Sequence, residues 1–236
     1  MHDAVASLDP PDPPGAAAVR FRDRRDAGRR LAVLLARFRD EHPVVVGVAR
    51  GGVPVAAEIA RALDAPLDVA LVRKIGAPRS PEFAIGALAE GGVLVLSEPL
   101  VHALGLSQDE LQALLAGVER ELAERLRRYR DAEAPIDLAG RTAIVVDDGL
   151  ATGRSAQAAV RSLRRRGAAR VVLAVPVAAS ESVRALSQEA DEIVCVETPA
   201  DLWAVGYWYE DFRPTPDEQV TRLLAASREG ASAESA

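Results

Sequence analysis

Two adjacent carboxylates, Asp147 and Asp148, follow the apolar run Ala143-Ile144-Val145-Val146 and precede Gly149-Leu150-Ala151-Thr152-Gly153-Arg154-Ser155. The run reads as a buried strand, and the small residues after it as a turn into a helix. A turn of this kind can aim backbone N–H groups, two hydroxyls and a helix N-terminus at one anion, which is how proteins cradle phosphate. Paired acids just ahead of it suit sugar hydroxyls or a hydrated Mg²⁺. Arg50-Gly51-Gly52 stands in a similar place, after the run Val44 to Ala49. Glycine there lets the backbone come close to a ligand. Lys74 is the only lysine in a chain with 29 Lys+Arg. Its ammonium is a compact point charge that arginine does not always replace.

The elements that would position these groups alternate. A helix is expected over Arg24 to Glu41 from the spacing of Ala27, Leu31, Leu34, Leu35 and Phe38, ended by Pro43. Strands are expected at Val44 to Ala49, Leu67 to Val72, Thr142 to Val146, Val171 to Val175 and Ile193 to Val196. Helices are expected at Val55 to Leu63, Ser155 to Arg166 and Glu181 to Glu189. Such alternation predicts a parallel sheet covered on both faces. Ile75 to Ser97 is rich in Gly and Pro. Its runs Phe83 to Leu88 and Val93 to Leu96 flank Glu90-Gly91-Gly92, which predicts a flap hairpin. Ser107 and Glu110 form a capping box for a long helix ending near Tyr129 to Ala132, and Thr215 to Glu218 a second one for a last helix ending near Ala226. Arg164-Arg165-Arg166 reads as a solvated helix end, where cations offset the dipole.

Composition bounds the rest. The chain has 236 residues, enough to bury a stable core without disulfides, and one cysteine, Cys195, read as a buried strand residue. The formal net charge of −6 argues against nucleic-acid binding. No apolar stretch approaches a membrane span, and no secretory pattern opens the chain, so the expected place is the cytoplasm, with no membrane partner. There is no Walker loop, no G-x-G-x-x-G after a strand and no nucleophile elbow, and His2, His42 and His102 suggest neither a triad nor a metal site.

Residues 143–155 resemble the signature of the type I phosphoribosyltransferases, most closely members with a VDDG-[IL]-ATG loop; Gly149 is the departure, standing where the family more often has a larger residue. The resemblance implies an α/β, parallel-sheet type I phosphoribosyltransferase fold with a flexible flap hairpin, a helical insertion over about 98–132 and a C-terminal hood over about 197–215. The domain would cover 19–227, with a disordered tail over 1–18 and another tail over 228–236.

It implies that Asp147 and Asp148 contact the ribose hydroxyls and hold Mg²⁺ through water. Ala151, Thr152, Gly153, Arg154 and Ser155 would seat the 5-phosphate, and Arg50, Gly51 and Gly52 the pyrophosphate, with a strained or cis peptide beside Arg50. Lys74 would face the phosphates and join Asp147 and Asp148 in catalysis. Trp203, Tyr207 and Trp208 would cover the acceptor, and Glu82, Glu90 and Glu210 are the candidate bases. The implied activity is transfer of 5-phosphoribosyl from phosphoribosyl pyrophosphate (PRPP) to an acceptor, a purine-like base being suggested by the hood aromatics, with release of pyrophosphate. A homodimer is the implied assembly. The second reading is a PRPP-binding sensor or regulator without turnover.

Overall fold

The computed structural model describes residues 20–130 and 134–233. The tail expected over 1–18 lies outside them. Five parallel strands form the central sheet: β1 (Val44–Val48), β2 (Leu67–Ala70), β6 (Thr142–Val146), β7 (Arg170–Val177) and β8 (Glu192–Glu197), in the order β2-β1-β6-β7-β8. Pairing such as Val45 with Leu67 and Ile144, and Ile144 with Val172, sends alternate side chains to opposite faces. Val45, Ile144, Val146 and Val172 pack under α1 (Arg24–Leu35), α2 (Gly52–Leu63) and α7 (Asp217–Ala233). Val44, Val46, Val145 and Val171 pack under α5 (Arg154–Arg165) and α6 (Ser180–Leu186). Burial on both faces explains why these strands are runs of Val and Ile rather than alternating polar and apolar residues.

Several expected boundaries shift. The first helix gives way after Leu35 to a 3-10 segment, Ala36–Glu41, which buries Phe38 and ends at His42 with a left-handed φ of 47°. The run Leu67 to Val72 is broken at Leu71. A separate antiparallel sheet begins at Val72, made of β3 (Val72–Ala77), β4 (Ser80–Ala89) and β5 (Val93–Leu96) in that order. The last helix runs past Ala226 to Ala233. In the insertion, α3 (Glu98–Ala103) precedes α4 (Gln108–Arg130), whose capping box forms as read. Glu110 N–H donates to Ser107 Oγ at 3.3 Å, and Ser107 N–H to Glu110 Oε2 at 2.9 Å.

The hairpin expected around Glu90-Gly91-Gly92 exists, but its turn is anchored rather than free. Ser162 Oγ donates to Glu90 O at 3.0 Å, and Arg165 Nη1 to Gly91 O at 3.3 Å. The exposed end of the small sheet is the opposite one, the β3–β4 turn at Pro78 and Arg79. Arg166 also departs from the expected solvated end. Its Nη2 lies 2.7 Å from Asp68 and its Nη1 3.2 Å from Glu90, while Arg130 Nη2 lies 3.0 Å from Glu90. The two acids are buried. Glu90 is thus committed to two arginines, which removes it as a candidate base.

Cys195 is half-buried in β8, where burial pushes its thiol up to about 11 and so keeps it protonated at neutral pH. Among the described residues no helix is long and apolar enough to cross a membrane.

Candidate active site

The chain leaves β1 for β2 on one side and later returns to β6 on the other, so the strand order reverses between β1 and β6. In open parallel sheets the crevice beyond the strand ends at such a point is where ligands bind. Both glycine- and acid-bearing loops open there, Arg50-Gly51-Gly52 after β1 and Asp147 to Gly153 after β6. The two loops touch. A Cβ on Gly51 would stand 2.0 Å from Asp148 Oδ2, and one on Gly52 would stand 2.3 Å from Val146 O, so only glycine lets the loops close on each other. The Ala49–Arg50 peptide is cis.

The loop after β6 is fastened at its middle. Leu150 N–H donates to Val177 O and Ala179 N–H to Leu150 O, each at 2.9 Å, and Ser182 Oγ donates to Ala151 O. Ala151 and Thr152 are exposed, and Gly153, with φ of 76°, starts α5. Among the described residues no hydrogen bond takes up the N–H groups of Ala151, Thr152 or Gly153. With Arg154 and Ser155 in the first turn of α5, these residues stand between β6 and α5 at the same end of the sheet as the two acids, the placement an anion cradle requires.

Asp147 keeps part of its surface accessible, yet it is enclosed deeply enough that desolvation pushes its carboxyl well above the usual range. The neighbouring Asp148 charge pushes the same way; Lys74 and Arg24 oppose it. Lys74 therefore lies within electrostatic reach of Asp147, although it sits inside β3, opposite Ala87, and not at the end of β2. Its side chain is exposed. Arg50 turns outward, with Nη1 3.6 Å from Asp217 Oδ1 at the start of α7. Asp217 also pairs with Arg128 and accepts from Tyr129 Oη.

The aromatic segment expected as a hood divides by burial. Trp203 is 70 % exposed and Tyr207 38 %, but Trp208 is 6 % exposed, packed with Phe21, Ala27, Val177 and Tyr209. Trp208 is therefore corrected from an acceptor-covering residue to a core residue that seats the hood. Tyr209, which sequence reasoning passed over, donates from Oη to Asp148 O at 2.6 Å. Arg24 of α1 was missed too. It reaches Asp148 Oδ2 from Nε at 2.9 Å and from Nη2 at 2.8 Å.

Gly149 has a structural reason. A Cβ there would stand 2.3 Å from Val205 Cγ1, so the hood fills the space that a larger loop residue would take. Gly149→Val is expected to push the hood outward and cost about 1–3 kcal/mol of stability. Urea denaturation, together with the emission of Trp203 and Trp208, reads both effects; unchanged curves and spectra would refute the packing account.

A family model described as "Phosphoribosyl transferase domain" matches residues 24–211. The chain belongs to that family. A Mycobacterium tuberculosis protein whose name gives it as a candidate phosphoribosyl transferase is 46 % identical over 204 residues, covering 86 % of this chain and 46 % of that protein. The chain thus spans about half the length of that relative. The uracil phosphoribosyltransferase of Lactobacillus gasseri is 34 % identical over 160 residues, 62 % of this chain and 71 % of that one. The crystal structure of TT1426 from Thermus thermophilus is 46 % identical, with a TM-score of 0.73 over 88 % of this chain and 98 % of that chain. The α/β architecture with its parallel central sheet is the fold this chain shares with the Thermus structure.

Proposed function

We propose that the chain binds PRPP across the β1–β6 crevice and transfers its 5-phosphoribosyl group to an acceptor with release of pyrophosphate. The observation that carries this reading is the contact of the two loops, which sets a row of unpaired backbone donors beside twin acids at the sheet's switch point. In this reading Ala151 to Ser155 seat the 5-phosphate, Asp147 and Asp148 take the ribose hydroxyls, and the backbone of Arg50 to Gly52 meets the pyrophosphate. Displacement at the sugar carbon develops positive charge on the ribose and negative charge on the leaving group. The acids favour the first, and Lys74 offsets the second. The β3–β4 turn is the exposed end of the small sheet and serves as the flap that excludes water.

Among the described residues no cluster of three or more His, Cys, Asp or Glu would cage a metal ion. Two adjacent carboxylates are hard oxygen donors, and they would suit a hydrated Mg²⁺. Asp147 and Asp148 would hold it, through water, and when bound it neutralises phosphate charge.

Trp203 and Tyr207 remain as exposed aromatic surfaces for an acceptor ring. The Lactobacillus relative is named for uracil, so the acceptor panel should hold pyrimidines as well as purines. Calorimetry with PRPP and Mg²⁺, followed by pyrophosphate detection across that panel, tests the reading. Saturable binding with release is expected. Binding without release for any base would favour the sensor, and no binding would overturn both. Lys74→Ala is expected to keep the fold and weaken PRPP binding roughly tenfold, the loss of one charge-assisted contact. Equal affinity in the variant would remove Lys74 from the site.

A further inference from the structure

We infer that Arg24 is a positioning residue that fixes Asp148 so that a single carboxylate oxygen, Oδ1, faces the sugar. The inference rests on the proposed PRPP site. Arg24 is the first residue of α1, which Asp23 caps by accepting from Asp26 N–H at 2.8 Å. Both of its contacts with Asp148 fall on Oδ2, from Nε at 2.9 Å and Nη2 at 2.8 Å, and among the described residues none falls on Oδ1. The same Oδ2 is the atom 2.0 Å from the position of a Gly51 Cβ. One oxygen is thus wedged between a guanidinium and the Gly51 backbone. The other is left to accept from a ligand hydroxyl.

Arg24 is itself held on its remaining sides. Nη1 donates to Arg213 O at 2.8 Å, and the guanidinium carbon lies 4.1 Å from the centroid of the Phe212 ring. A planar fork fixed in this way directs its partner with little further loss of freedom. The side chains of Arg24 and Asp148 are 12 % and 17 % exposed, so solvent screens the pair far less than a surface bridge. Residues 209–213 grip Asp148 twice, through Tyr209 Oη on its carbonyl and through Arg213 and Phe212 on Arg24. The segment over 209–213 and Asp148 are therefore tied by direct contacts. Arg24 is not what holds α1 in place; Ala27, Leu31, Ala32 and Leu35 bury that helix against the sheet and α2.

The test is calorimetry on the full chain with Mg²⁺ and three probes: PRPP, ribose 5-phosphate and inorganic pyrophosphate. Arg24→Ala is expected to lower the melting temperature yet leave the protein folded, since a partly buried pair is broken while the apolar face of α1 still packs. It should weaken PRPP and ribose 5-phosphate roughly tenfold and pyrophosphate far less, because the proposed pyrophosphate contacts are the backbone of Arg50 to Gly52 and Asp148 bears on that group only through a hydrated Mg²⁺. Arg24→Lys, keeping the charge without the fork, should recover part of the loss. The double variant Arg24→Ala with Asp148→Asn should bind PRPP no more weakly than Asp148→Asn alone, since Arg24 acts through that carboxylate. Equal loss for all three probes, or additive losses in the double variant, would overturn the positioning role. Failure of the parent protein to bind PRPP would instead overturn the reading of the site.

Discussion

Asp147→Asn is expected to raise the melting temperature of the ligand-free protein while cutting phosphoribosyl transfer by about a hundredfold or more, the scale at which a preorganised electrostatic group contributes. The carboxyl is desolvated and stands beside Asp148, and both influences hold its folded-state pKa well above the ordinary range. In the unfolded chain it ionises near pH 4. Between that pH and the raised folded value, the folded protein keeps a proton that the unfolded chain has lost, so stability falls as pH rises through the window. Asparagine removes the ionisation and with it the penalty. The two melting curves should therefore meet at about pH 3 and separate steadily as pH rises, with the variant on top. Scanning calorimetry from pH 3 to pH 8 reads this directly; parallel curves, or a less stable variant, would show that Asp147 carries no such burden. Loss of transfer in a stabilised protein would also separate chemistry from folding, which a destabilising substitution cannot do.

The frame of this molecule could be read from residues because its signals are local. The Val-rich strands, the acids after Val146 and the Ser107–Glu110 capping box each depend on neighbours a few positions apart. What escaped depends on distance or on fine differences of burial. Arg24 meets a partner 124 positions away, from a stretch where Arg20, Arg22, Arg25, Arg29 and Arg30 look the same in sequence. Trp203, Tyr207 and Trp208 share one aromatic segment, but the 3-10 turn over Val205–Trp208 rotates Trp208 into the core and leaves the other two outside. The break at Leu71 hides within a continuous apolar run, because Leu71 is as buried as the strand residues before it. Glu90 lies in a Gly-rich turn that reads as a mobile tip, and only the arginines brought from α4 and the end of α5 make it an anchor.

That anchor carries the second large effect. Glu90→Ala is expected to cost about 3–5 kcal/mol of unfolding free energy, well above the toll of an ordinary surface change. Asp68 and Glu90 are 3 % and 7 % exposed at the side chain, Arg130 and Arg166 14 % and 18 %. Two cations and two anions balance in a space with little water. Removing one carboxylate leaves Asp68 to compensate two guanidinium groups that cannot lose their protons. The damage should spread along definite lines, since Arg130 Nη2 also donates to Val69 O at 3.3 Å and Arg166 Nη2 to Ile136 O at 2.8 Å. One cluster therefore ties the end of the insertion, β2, the β4–β5 turn and α5 together. Faster amide exchange is expected in β4 and β5 before the central sheet opens. Urea unfolding and hydrogen exchange measure the two effects. A loss below about 1 kcal/mol, within the range of exposed ion pairs, would mean that the quartet is hydrated in solution and does not fasten the small sheet.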